Sequence, residues 1–257
     1  MLKVRPNNSS NKKIYLASDF HLGVPDAAAS LEREKKIIRW LDEIARDAEL
    51  IIFAGDIFDF WFEYKHVVPK SHIRFLGKIA ELRDRKIEII FFAGNHDMWM
   101  FNYFTEELGI PILREPKTFS FFEKKYLIGH GDGLGPGDDK YKIIKRIFSN
   151  RYLQWLFGWL HPNISFWAAK KWSANSKQKN LVKDDQFLGI KEILFQYCQM
   201  IEDKNHHDYY VFGHRHLPLE MPINGGTAKY INLGEWLSQY SYLEIDSHKT
   251  ELKYFES

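Results

Sequence analysis

Seven side chains in this sequence could hold metal ions: Asp19, His21, Asp56, Asn95, His130, His214 and His216. Carboxylate, imidazole and amide oxygen together suit borderline-hard divalent ions such as Mn²⁺, Fe²⁺ or Zn²⁺ better than Ca²⁺, which prefers oxygen alone. No thiolate cluster is available, so a structural cysteine–zinc site is excluded. In Asp19-x-His21 and His214-x-His216, a spacing of two puts both side chains on one side of a strand end. Asp56 has two oxygens with which to bridge two ions. A pair of divalent ions roughly 3.5–4 Å apart can polarise a phosphoryl group and activate a water for in-line attack on phosphorus, so that no serine or cysteine nucleophile is needed. Any one of the eleven histidines is by itself more often a surface or satisfied core residue. Five such motifs in order, most of them directly after an apolar run, are hard to attribute to chance. His66, His72, His161, His206, His207 and His248 fall outside the motifs and are read as ordinary.

The elements that must position these residues alternate. Apolar runs at 13–18, 50–54 and 87–93 read as strands, each running into a polar cluster, with helical patterns at 29–46 and 71–85 between them. Strand alternating with helix implies βαβ units and a largely parallel sheet. Residues 118–128 read as paired strands ending at His130. Residues 185–202 read as a helix and 209–212 as a strand running into Gly213-His214, while 229–254 alternates in the antiparallel manner. Open α/β folds bind ligands in loops at the carboxyl ends of their strands, and glycine lets the chain turn sharply there. Residues scattered over the chain can therefore converge on one edge.

The 257 residues, 45% of them hydrophobic, suit one α/β domain, or one domain with an insertion. The lone cysteine, Cys198, excludes an internal disulfide and fits a reducing compartment. The polar start has no apolar segment of signal-peptide type, and no run is long enough to span a bilayer. The expectation is a cytoplasmic protein, peripheral to a membrane at most. Net charge is +2, but 140–183 holds ten Lys/Arg and no Asp or Glu, leaving the remainder with 26 basic and 34 acidic residues. Four of the eight tryptophans, Trp155, Trp159, Trp167 and Trp172, lie in that basic stretch.

The ordered motifs Asp19-Phe20-His21, Gly55-Asp56-Ile57-Phe58-Asp59, Gly94-Asn95-His96-Asp97, Gly129-His130-Gly131-Asp132 and Gly213-His214-Arg215-His216 resemble those of the calcineurin-like metallophosphoesterase superfamily. The resemblance covers nearly the whole chain outside the basic segment. It implies a four-layer sandwich, two β-sheets flanked by helices, with an inserted helical cap. It also implies two divalent metal ions, with manganese the expected one. Asp19, His21, Asp56 and His216 would hold one ion, and Asp56, Asn95, His130 and His214 the other. His96 would face the phosphoryl oxygens, and Asp97 would accept its ring N–H and fix its orientation.

Within the superfamily, three features are similar to the UDP-2,3-diacylglucosamine hydrolase family of the lipid A pathway: 129–134 followed by Asp138-Asp139-Lys140-Tyr141, the inserted segment, and Ile231-Asn232-Leu233-Gly234-Glu235-Trp236. That family splits the pyrophosphate of its lipid-linked UDP-sugar to UMP and 2,3-diacylglucosamine 1-phosphate. Where many of its members carry arginine in the G-N-x-D motif, this sequence keeps His96. The implied division is a core over 12–140, a cap over 141–183 and the rest of the core over 184–257. The cap's aromatic and aliphatic density, rimmed by Lys and Arg, fits a membrane interface or an acyl groove. The implied peripheral location is the cytoplasmic face of the inner membrane. Expected substrate-binding residues are Asp138, Tyr141, Lys170, Lys171, Ser173, Asn175, Lys177 and Arg215, with Ser176 and Lys179 beside them. Another phospholipid-like or nucleotide substrate is the alternative. Nucleic acid, which also binds basic-aromatic surfaces, is the weaker reading, because Leu and Phe crowd the tryptophans. No protein partner is evident.

Overall fold

The computed structural model describes residues 12–137, 139–169, 171 and 186–256. Among the described residues, eleven strands form two sheets. In the first, β1 (Lys13–Ala17), β2 (Ala48–Phe53), β3 (Glu88–Phe92) and β4 (Ile112–Leu113) run parallel, and β10 (Ser241–Ile245) and β11 (Thr250–Tyr254) add antiparallel at the β1 edge, giving the order β11-β10-β1-β2-β3-β4. In the second, β6 (Lys124–Gly129), β7 (Tyr209–Phe212) and β9 (Ala228–Asn232) run parallel between the antiparallel edges β5 (Lys117–Phe121) and β8 (Leu219–Ile223).

The period of two along each strand sorts the core into layers. Ile14, Leu16, Leu50, Ile52, Ile90 and Phe92 point to the second sheet and meet Tyr126, Ile128, Val211 and Ile231. Their neighbours Tyr15, Ala17, Ile51, Phe53, Ile89 and Phe91 point the other way. There they meet the apolar stripes of α1 (Ala27–Ile44) and α2 (Ile73–Asp84), including Trp40, Leu41, Phe75 and Ile79. On the outer face of the second sheet, Leu127, Tyr210, Phe212 and Tyr230 pack on Leu194, Phe195 and Cys198 of α7 (Ile193–Glu202). The result is the four-layer sandwich expected from the motifs.

Two segments differ from their sequence patterns. The helix expected over 185–202 begins only at Ile193, after a short 3-10 turn over Gly189–Lys191. The alternation over 229–254 is not one antiparallel unit. β9 sits in the second sheet, parallel to β7, and the chain then crosses to pair β10 with β1. Alternating burial looks the same in either sheet, so the pattern conceals the crossing. The sequence pattern also passed over β4, β8 and the short helix α3 (Tyr103–Leu108).

In the expected cap, α4 (Asp139–Phe148), α5 (Arg151–Phe157) and a helix over 162–169 (α6) lie against body loops. Phe157 contacts Trp99 and Phe62 at ring-centroid distances of 4.6 and 4.9 Å, and Phe166 contacts Phe60 at 5.1 Å. Trp99 Nε1 donates to the Phe148 carbonyl at 2.9 Å. Much of the cap's apolar surface stays exposed even so, including Ile143, Tyr152, Trp155, Trp159, Ile164 and Trp167. Among the described residues, no helix is long and apolar enough to cross a membrane.

Leu16 lies fully buried between the sheets on a central strand. Leu16→Ala is expected to lower stability by about 2–5 kcal/mol, read as a shift in the denaturant midpoint with unchanged slope.

Candidate metal centre

Five parallel strands, β1, β2 and β3 of one sheet and β6 and β7 of the other, end on the same edge, and each ends at a candidate ligand. The β1–β2 ladder continues past the strands: Asp19 N–H donates to the Gly55 carbonyl at 3.0 Å and His21 N–H to that of Asp56 at 2.9 Å. The second sheet is tied in by His214 N–H, which donates to Asp19 Oδ2 at 3.0 Å, and by His130 Nδ1–H, which donates to the Ala54 carbonyl at 2.8 Å. That last bond fixes the His130 tautomer and leaves Nε2 as a donor atom for a cation.

Backbone strain concentrates here. Asp19, His21, Asp56, His214 and His216 have φ of 58°, 44°, 52°, 67° and 57°, the left-handed region that costs an L-residue on the order of 1–3 kcal/mol. Two glycines admit the carboxylates. A Cβ on Gly94 would sit 2.1 Å from Asp56 Oδ1, and one on Gly213 would sit 2.5 Å from Asp19 Oδ2.

The side chains gather in two groups. In the first, His216 Nε2 lies 3.1 Å from Asp19 Oδ1 and 3.0 Å from His21 Nε2, and His21 Nε2 lies 3.7 Å from Asp19 Oδ1. In the second, His130 Nε2 lies 3.5 Å from Asp56 Oδ2 and 3.2 Å from Asn95 Oδ1, with His214 completing the set. Asp56 Oδ2 is also 3.8 Å from His21 Nε2, so it stands between the groups. Asp19 and Asp56 are almost completely buried, and Asp19 Oδ1 has no hydrogen-bond donor. Ring nitrogens turned toward each other around buried carboxylate oxygens are a donor set that a cation would satisfy, so the residues present fit divalent metal ions.

The electrostatics agree. Burial alone would lower the pKa of His21, but the neighbouring carboxylates of Asp19, Asp59 and Asp56 raise it to about 9. Burial would likewise lower that of His130, and the Asp56 carboxylate raises it to about 10. Asp56 itself is held below the usual carboxylate range: burial opposes this, and His130, His96 and His21 outweigh it.

His96 sits beside the first group. Its Nδ1 lies 3.0 Å from the Asp59 carbonyl and 3.5 Å from Asp59 Oδ1. Asp59 Oδ1 is also 3.7 Å from His21 Nδ1. The expectation that Asp97 orients the His96 ring is therefore corrected: the residue beside it is Asp59. Asp97 faces the other way, accepting from Gly94 N–H at 2.8 Å and Ile57 N–H at 2.7 Å, and it knits the loops after β2 and β3 together. Burial, with Asp56 nearby, raises the Asp97 pKa to about 7. The Asn-His-Asp turn starts no helix at Met98, since the next one begins at Tyr103.

The expected substrate contacts divide. Tyr141 OH donates to Asp132 Oδ2 at 2.6 Å, where Lys145 Nζ also pairs at 2.8 Å, so α4 is fastened to the His130 loop. Arg215 pairs with Glu192 at 3.0 Å and donates to the Gln186 carbonyl at 2.5 Å, bracing the segment ahead of α7. Lys171 Nζ is 5.3 Å from the Trp167 ring centroid, on the cap's exposed side. Asp138, Lys170, Ser173, Asn175, Ser176, Lys177 and Lys179 lie outside the described residues.

Other supporting residues went unassigned in the sequence. Asp59 and Asp132 were visible inside the motifs but given no role. Buried Asn232 donates to the Gly213 carbonyl at 2.6 Å, holding the loop of His214 and His216. Arg33 of α1 donates to the carbonyls of His21 and Val24 at 2.6 and 2.5 Å, and nothing in the spacing marks it.

The family model for calcineurin-like phosphoesterases matches residues 12–218. This chain belongs to the calcineurin-like phosphoesterase family. Three relatives named UDP-2,3-diacylglucosamine hydrolase align over most of their lengths. That of Porphyromonas gingivalis is 35% identical over 95% of this chain and 98% of its own. Those of Aeromonas salmonicida and Escherichia coli are 29% and 28% identical, over 88% and 93% of this chain and 87% and 97% of theirs. The family's motifs thus coincide with the residues that the two sheets bring to one edge.

Imidazoles must be neutral to bind metal. With folded-state pKa values raised to about 9 and about 10, His21 and His130 carry protons at pH 7 when no metal is bound. A divalent ion is therefore expected to release protons on binding at pH 7, and its affinity to rise between pH 7 and pH 9. Calorimetric titration in two buffers of different ionisation enthalpy measures this; identical heats in both would contradict it.

Proposed function

We propose that this chain is a dinuclear-metal hydrolase that cleaves the pyrophosphate of UDP-2,3-diacylglucosamine to UMP and 2,3-diacylglucosamine 1-phosphate. The observation that carries the substrate is a cavity of about 410 Å³ that begins at the metal centre and ends in the cap. Asp59, Asn95 and His96 line one end, while Ile144, Ile147, Phe148, Leu153 and Phe157 line the other. A polar phosphoryl end joined to an apolar pocket matches a substrate that carries a pyrophosphate and acyl chains on one sugar.

Asp19, His21, Asp56 and His216 would hold one ion, and Asp56, Asn95, His130 and His214 the other, with Mn²⁺ the preferred metal. When bound, the pair of ions would supply charge neutralisation at the phosphoryl oxygens and a lowered pKa for water in the site. The chain's own residues do the rest. His96, with Nδ1 turned to Asp59, presents its other ring nitrogen to the phosphoryl group and stabilises charge or donates a proton to the leaving oxygen. Burial lowers the His96 pKa, against the pull of Asp56. Ile147, Phe148 and Leu153 exclude water from the acyl chains. Tyr141 and Lys145, through Asp132, keep the cap seated beside the His130 loop.

The exposed Trp155, Trp159 and Trp167, among Lys and Arg, support peripheral docking on the cytoplasmic face of the inner membrane, where the substrate's acyl chains reside. Asp138, Lys170, Lys171, Ser173, Asn175 and Lys177 are proposed for the rim that meets the diphosphate and sugar.

Purified protein with Mn²⁺ is expected to release UMP from UDP-2,3-diacylglucosamine, and to stop when the metal is chelated. Turnover of simple phosphodiesters but not of this substrate would reject the assignment. Trp155→Ser with Trp159→Ser is expected to weaken binding to phosphatidylcholine vesicles on the order of tenfold while detergent-dispersed substrate is still hydrolysed.

A further inference from the structure

A second cleft, of about 910 Å³, lies on the other side of α5 from the acyl cavity, with Met98 and Gln154 common to both linings. Its walls combine Lys65, Arg114 and Arg151 with Phe101, Trp155 and Trp159. We infer that this cleft binds the anionic headgroup of a membrane glycerophospholipid, a site separate from the metal centre; the inference rests on the reading that the cap docks on a bilayer.

Charge is the first argument. Among the described residues, no ion pair is formed by Lys65, Arg114 or Arg151 in this structure. Arg114 spends its guanidinium on backbone carbonyls, donating to Met98 at 2.7 Å and also to Met100. Burial lowers the Arg114 pKa, the charges of Glu63 and Asp97 oppose this, and Arg151 acts in the same direction as burial. The cleft's one carboxylate, Glu63, is buried and already committed: it accepts from Trp61 Nε1 at 3.1 Å, Asn102 N–H at 2.8 Å and Tyr103 N–H at 3.0 Å. Among the described lining residues, Lys65, Arg114 and Arg151 therefore face a single carboxylate, Glu63, which leaves the cleft a surplus of positive charge.

Placement is the second argument. Arg151 is the first residue of α5, directly after the N-cap Asn150, where the helix macrodipole disfavours a cation. Trp155 and Trp159, one and two turns further along the same stretch, are more than half exposed. Indole rings at headgroup depth beside cations are the arrangement of a bilayer interface. A phosphodiester held between Arg114 and Arg151 would set α5 against the membrane, beside the acyl cavity with which the cleft shares Met98 and Gln154.

Arg151→Glu separates a binding role from a structural one, because an acidic residue at the start of α5 should favour the helix. Calorimetric titration of the full chain with dihexanoylphosphatidylglycerol below its micelle concentration is expected to show saturable binding. Arg151→Glu should weaken it on the order of tenfold, with hydrolysis of detergent-dispersed substrate unchanged. Dihexanoylphosphatidylcholine and inorganic phosphate should both bind far more weakly, which separates a lipid headgroup from a bare apolar cleft and from a free anion. Arg114→Gln gives an independent second variant with the same expected direction. Undiminished phosphatidylglycerol binding by Arg151→Glu, or equal binding of the two lipids, would overturn the inference. Loss of binding to uncharged vesicles on removing the cap tryptophans tests the docking reading itself, so the two can fail separately.

Discussion

Asp19 and Asp56 are carboxylates taken almost entirely out of water, and that is the constraint around which this structure is arranged. Two buried negative charges, lying 3.7 and 3.8 Å from the same ring nitrogen of His21, are tolerable only beside compensating positive charge. The protein surrounds them with four imidazoles and one amide, and the high pKa values of His21 and His130 express how strongly the pair attracts cations. Protons serve when nothing else is present. Divalent ions would satisfy the same demand with more charge, and on the proposed reading they would turn a liability of the fold into a phosphoryl-binding surface.

Holding that arrangement requires two sheets rather than one. Each sheet ends at the same edge, and the contacts that cross between them, His214 N–H to Asp19 and His130 to the Ala54 carbonyl, are those that fix the ligands. Left-handed backbone at five ligand positions aims side chains that ordinary strand ends would send elsewhere. Asn232, Arg33 and Asp97 hold the strained loops through their peptide groups, without facing the reacting centre themselves. The cap helices are tied to the same centre through Asp132, two residues after His130, so the apolar cavity and the candidate ligands share one frame.

Much of this was legible in the sequence because the ligands are local to their strands. An apolar run followed by Gly-Asp or Gly-His states both the element and the residue at its end, and parallel strands then bring those ends together. What depended on crossings was not legible. Whether Asp59 or Asp97 sits beside the His96 ring turns on where the loop after β2 passes the loop after β3, and both residues look equally suitable in their motifs. β9, β10 and β11 alternate in the same way although they belong to different sheets. Arg215 and Tyr141 read as substrate-binding residues, whereas Glu192 and Asp132, distant or unassigned in the sequence, engage them.

The central claim is that two ions share Asp56. The most direct measurement is the metal content of the protein loaded with Mn²⁺ together with its electron paramagnetic resonance spectrum. Two ions per chain with the signature of an exchange-coupled pair are the expected result, with the coupling lost in Asp56→Asn. A single ion per chain, or two ions that show no coupling, would contradict the account.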